Sequence, residues 1–155
     1  MEGPAWALAP AYAMRAALMI KATLRSSPGL DVRMSIGLGE ADYQGKKVTE
    51  NNGQAYVRSG ECFEKLKKVT MIVCTGQKEN DRLYNYMLEL ALLRMDDWPP
   101  ATAAVVYAAL RYPEMNQSQL AAKVRKSQSS VSEALSRAGF DKIVRLEDYF
   151  ASFYL

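Results

Sequence analysis

The chain predicts an α+β fold in two modules, an α+β part over residues 1–98 and an all-α module over residues 99–155. Three observations carry this reading. Two short runs with strand character, at 31–40 and 69–75, lie among helix-periodic stretches in the first part. No strand pattern follows Trp98-Pro99-Pro100, where the prolines stop one helix and mark a boundary. With 155 residues, 49% of them hydrophobic and 24% charged, the chain can bury a core.

Each element follows from its local pattern. Residues 11–25 are rich in helix formers and end at Ser26-Ser27-Pro28-Gly29, a stop and a turn. Val32, Met34, Ile36 and Leu38 then alternate with Arg33, Ser35 and Gly37, the period of a half-buried strand. The polar stretch 41–52, with Gly45 and Lys46-Lys47, reads as a loop. A second helix over 53–68 carries Tyr56, Cys62, Phe63 and Leu66, and the β-branched run 69–75 is a buried strand. Leu83, Tyr84, Met87, Leu88, Leu90, Ala91 and Met95 give residues 78–97 the spacing of an amphipathic helix. Four helices follow, over 101–112, 117–124, 128–138 and 141–154, separated by Pro113-Glu114, Arg125-Lys126-Ser127 and Gly139.

Composition excludes several chemistries. The chain has no histidine, which removes His-based triads, imidazole zinc ligands and imidazole general bases. A net charge of +3 is too mild to name a partner. Two cysteines, Cys62 and Cys74, are too few for a disulfide framework and are expected to be free thiols in a reducing cytoplasm. The apolar stretch 6–20 is interrupted by Pro10 and Arg15, and no uncharged run reaches the ~20 residues a bilayer requires. The expectation is a cytoplasmic chain without a membrane span.

The sharpest motif lies at residues 116–135. Leu120, Ala121 and Val124 form one apolar stripe; after a tight turn Ser127 can cap a second helix whose Val131, Ala134 and Leu135 return to the same core. Gln128, Ser129, Ser130 and Ser132 are left at the outward N-terminal end, where a recognition helix meets base edges. The stretch resembles the helix-turn-helix of bacterial regulators and sigma-type factors at Gln117, Leu120, Ala121, Val124, Ser127, Gln128, Val131 and Ser132. At the turn Arg125 stands where that pattern has glycine and Lys126 where it has an apolar residue, so Arg125 is expected to adopt a left-handed conformation. The resemblance implies double-stranded DNA as partner, with base contacts from Gln128, Ser129, Ser132 and Glu133 and phosphate contacts from Lys123, Arg125, Lys126, Ser127 and Arg137. Residues 99–155 hold seven basic residues against five acidic ones, so the cluster at 123–126 is stronger support than the sum. The competing reading is a helical cap that only packs.

A second resemblance rests on Gly3-Pro4-Ala5-Trp6-Ala7-Leu8, on Ile36-Gly37-Leu38-Gly39-Glu40 and on Gly53-Gln54-Ala55-Tyr56-Val57-Arg58-Ser59-Gly60. In this order they resemble the SatD-like family, which joins a nucleotide-cyclase-like α+β part to a C-terminal helix-turn-helix. The resemblance implies a truncated ferredoxin-like or cyclase-like N-terminal part, beginning late, because the family's opening strand has no counterpart before Glu2. Cyclase chemistry needs two carboxylates to hold a divalent metal, and Pro4 stands at the hairpin position of one of them. The expectation is therefore no enzyme, no metal and no cofactor. Gly37 and Gly39, without a directly following helix, read as close packing or a strand bend, and Asp31, Glu40 and Asp42 as solvated strand-end charges. Arg58 and Ser59 are candidates for binding a small effector.

These readings converge on a DNA-binding transcriptional regulator. A nucleotide- or effector-binding protein and a structural interaction protein are the alternatives. A homodimer is expected, because a sheet of two or three strands leaves edges uncovered and because Ile143, Leu146, Tyr149, Phe150, Phe153 and Tyr154 give the last helix a large apolar surface.

Overall fold

The computed structural model describes residues 10–39 and 53–154. Over these residues the chain is a mixed α+β protein, mostly helical, with seven α-helices and one two-stranded parallel sheet. The predicted loop 41–52, Glu40, Asp42 and the motif at 3–8 lie outside the described residues. No helix among the described residues is long and apolar enough to cross a membrane.

The chain divides into two compact units, and the division corrects the expected boundary at residue 98. One unit is Arg33–Leu92; the other joins Met1–Val32 to Leu93–Leu155.

The unit Arg33–Leu92 contains β1 (Met34–Gly37), α2 (Gln54–Lys65), β2 (Met71–Cys74) and most of α3 (Lys78–Met95). The strands pair in parallel from Met34 opposite Met71 to Gly37 opposite Cys74. Parallel neighbours need a crossover, and α2 supplies it, packing on both strands. Gly37 permits that packing, since a Cβ there would fall on the Ala55 carbonyl and the Ser59 amide. The edge of β2 is covered within the unit: the Asn85 side chain accepts from Val73 N and donates to Val73 O, both at 2.8 Å, in the manner of another strand. This removes one of the uncovered edges on which the dimer expectation leaned.

The crossover also corrects the thiol expectation. It brings Cys62 of α2 beside Cys74 at the end of β2, with a Cα–Cα distance of 6.2 Å, and the two form a disulfide.

The other unit contains α1 (Ala13–Arg25), entered through a 3-10 turn at Pro10–Tyr12, with α4 (Pro100–Arg111), α5 (Gln117–Val124), α6 (Gln128–Ala138) and α7 (Phe140–Ala151). The first helix belongs here because its buried stripe, Met14, Ala17, Leu18 and Ala22, is covered by this unit, α1 packing on α4. Lys21 is fully buried in that stripe, and its ammonium is held by Asp31 at 2.9 Å and by Asp96. Asp31, expected as a solvated strand-end charge, is exposed and is also the ion-pair partner of Lys21. Arg15 pairs with the buried Glu147 and donates to the Leu110 carbonyl at 3.0 Å. Ile143, Leu146 and Phe150 of α7 are buried, which leaves Tyr149 as its exposed large apolar residue, with Phe153 exposed just beyond its end. The last helix therefore commits most of its apolar side chains to its own unit rather than to a second copy.

Candidate nucleic-acid interface

Helices α5 and α6 and the turn between them are fixed by local chemistry at each end. Asn116 caps α5 by accepting from Gln119 N at 3.0 Å while its own N–H donates to Gln119 Oε1 at 2.9 Å, a reciprocal capping box. At the other end Arg125 N donates to Ala122 O at 3.3 Å and Lys126 N to Ala121 O at 3.0 Å, closing the helix with Arg125 in the left-handed region at φ 56°. Arg125 is the one non-glycine residue with positive φ among the described residues. Ser127 then starts α6, its hydroxyl accepting from Ser130 N at 3.2 Å. Gly139, at φ 68°, ends α6 and leads into α7.

The inner faces of the two helices build one core. Leu120, Ala121 and Val131 are buried with Val105, Ala108 and Ala109 of α4, and Val124, Ala134, Leu135 and Phe140 pack against them. Every side chain predicted to touch DNA is on the opposite side and exposed: Lys123, Arg125, Lys126, Ser127, Gln128, Ser129, Ser132, Glu133 and Arg137. Residues 117–138 carry four basic residues against one acid.

The geometry separates these nine residues by what each has left to offer. Arg125 and Lys126 make no ion pair among the described residues and flank the start of α6, where the N–H groups of its first turn and the helix dipole add positive potential. Lys123 places its ammonium over the Tyr112 ring, 4.6 Å from the centroid. Glu133 and Arg137 pair with each other one turn apart, which ties up both charges. Ser127 is engaged in the cap and hydrogen-bonded to the hydroxyls of Ser129 and Ser130. The Gln128 oxygen accepts from Ser118 Oγ at 3.1 Å, so its amide N–H groups remain to donate. The sequence reading missed Ser118 and Tyr112 as positioning residues; Asn116 and Gln119, three apart before an apolar run, were legible as a capping box.

Arg58 and Ser59, the candidate effector residues, are placed in the other unit with scaffold contacts. Arg58 Nη1 donates to Leu38 O at 2.7 Å and to Thr75 O at 2.9 Å, and Nη2 to Gln54 Oε1 at 2.9 Å, so the guanidinium clasps the ends of both strands. Ser59 O accepts from Ser35 Oγ at 2.7 Å, joining α2 to β1. In the helical unit a mostly apolar cleft of about 490 Å³, lined by Arg15, Leu110, Leu120, Leu135 and Phe140, has the volume of a small-molecule site. Among the described residues no group of three or more cysteines and carboxylates is placed to hold a metal ion.

Compared with known proteins, the chain matches no family model, no curated protein and no solved structure.

Proposed function

We propose that this protein is a DNA-binding transcriptional regulator and that α5 and α6 act as a helix-turn-helix, with α6 entering the major groove. One observation carries the reading. The exposed N-terminal end of α6 offers only small polar side chains and amide N–H groups, and two cations without ion-pair partners among the described residues, Arg125 and Lys126, stand beside it. Cations in that position suit phosphates on the groove wall, and short hydrogen-bonding side chains suit base edges within it. The Gln128 amide, with its oxygen held by Ser118, offers donors to an acceptor such as a purine N7. A homodimer belongs to the reading, since two copies would present α6 to successive major grooves about 34 Å apart. So do a cytoplasmic location and the SatD-like kinship, in which the parallel β1–α2–β2 crossing would be the remnant of the cyclase-like part.

The test is a salt titration of binding to random and native upstream duplexes. Replacing Arg125 and Lys126 together by Ala is expected to weaken binding to every sequence and to reduce the slope of log K against log salt by about 1.8, roughly 0.9 for each phosphate no longer neutralised. Gln128→Ala or Ser132→Ala is expected to change sequence preference, by about 1–3 kcal/mol where the side chain reads a base edge. No affinity above background at low salt overturns the proposal.

A further inference from the structure

Helix α3 carries two apolar faces, of which one is buried. Tyr84, Leu88, Leu92 and Met95 are buried. Leu83, Tyr86, Leu90 and Leu93 lie on nearly the opposite side at about 3.6 residues per turn, with 45%, 55%, 70% and 73% of their surface exposed. Isolated exposed leucines are ordinary; four large apolar residues in one row are not. Their spacing of three, four and three is the a-d-a-d pattern of a coiled-coil seam, and it spans eleven residues of one continuous helix.

We propose that this seam is the self-association surface of the protein, two copies packing α3 against α3 in parallel. The charges beside the seam select that occupant and that direction. With Leu83 and Leu90 at a and Tyr86 and Leu93 at d, Glu89 falls at g and Arg94 at the following e, the two positions that meet across a parallel pair. Both are exposed and neither makes an ion pair among the described residues, so a second copy supplies each with its partner, twice by symmetry. An antiparallel pair would set Glu89 against Glu89. Two heptads are a short seam, so the association is concentration-dependent rather than obligate. This inference deepens the homodimer within the reading above. It does not depend on DNA binding, and its test reads mass alone.

Sedimentation of the full chain from about 1 to about 100 µM is expected to move from monomer to twice 17.3 kDa. Leu90→Lys is expected to weaken the dimer by roughly tenfold or more while leaving unchanged the circular dichroism spectrum and the Tm measured at about 1 µM, where wild type is monomeric, because Leu90 is largely outside the core. Glu89→Arg and Arg94→Glu, each alone, set like charges across the seam and are expected to weaken it, whereas an equimolar mixture of the two variants is expected to form heterodimers at wild-type strength or better. A wild-type monomer throughout the range overturns the proposal, since the seam would then serve another partner or another segment. A dimer unaffected by Leu90→Lys overturns it by placing the contact elsewhere, for instance at Tyr149 and Phe153. Failure of the mixture to recover dimers overturns the parallel arrangement.

Discussion

The indole N–H of Trp98 donates to the carbonyl of Ala138 at 3.2 Å, and both residues are buried. The bond ties the residue before the double proline to the last turn of α6. A tryptophan that reads as the end of a module is therefore an anchor for the helix proposed to enter the groove. Trp98→Phe is expected to destabilise the helical unit by about 1–3 kcal/mol, through removal of the hydrogen bond and the smaller ring, and Trp98→Ala by about 3–5 kcal/mol. A change within about 0.5 kcal/mol, as expected of an exposed linker residue, would contradict the anchor. Denaturant unfolding, with amide exchange read on α6, makes the measurement.

Arg125 separates stability from binding. Its left-handed backbone sets its Cβ against the following carbonyl, a strain of about 1 kcal/mol that glycine avoids. Arg125→Gly is expected to raise stability by about 0.5–1 kcal/mol and to lower DNA affinity with a salt slope shallower by about 0.9. Opposite changes in stability and in affinity would show that the arginine is kept for its charge.

The Cys62–Cys74 bridge closes a short loop, twelve residues apart in sequence. Reduction, or Cys62→Ala with Cys74→Ala, is expected to cost about 2–3 kcal/mol, chiefly by freeing the unfolded chain. Thiol titration of the unreduced, denatured protein is expected to find no free thiol; two would contradict the bridge.

Glu147 gives an acid-side signature. Burial pushes its carboxyl above the ordinary glutamate value, and the hydrogen bond and charge of Arg15 pull the other way without cancelling it. The folded state therefore holds this proton more tightly than the unfolded state does. Its contribution is greatest below the unfolded value near 4.5 and is lost as pH rises through the raised folded value. Urea unfolding of wild type and Glu147→Gln at intervals from pH 4 to pH 7 (about one unit each) is expected to show stability declining with pH more steeply in wild type. Identical slopes would remove the shift.

Local sequence was enough to specify the elements and the core faces of the last third of the chain. Helices at 117–124 and 128–138 follow from the caps at Asn116 and Ser127, from the apolar spacing of Leu120, Val124, Val131 and Leu135, and from the break at Gly139. The left-handed turn residue was legible too, because a helix must close before Ser127 and Arg125 stands at the position of closure. These are near-neighbour effects, within reach of one or two helical turns. What depends on distant partners was settled by the fold. Periodicity merged the two faces of α3, since Leu83 and Leu90 fit an apolar helix pattern as well as Tyr84 and Leu88 do; only burial separates them. Nothing near Cys62 announces Cys74, because a parallel crossover brings them together. Nothing in residues 11–25 says that α1 joins helices 75 or more residues away, because an apolar stripe specifies that it must be covered and leaves open by what. Arg58 reads in sequence as a cation available to a small effector; the carbonyls of Leu38 and Thr75 that engage it come from the ends of two strands that only the fold aligns.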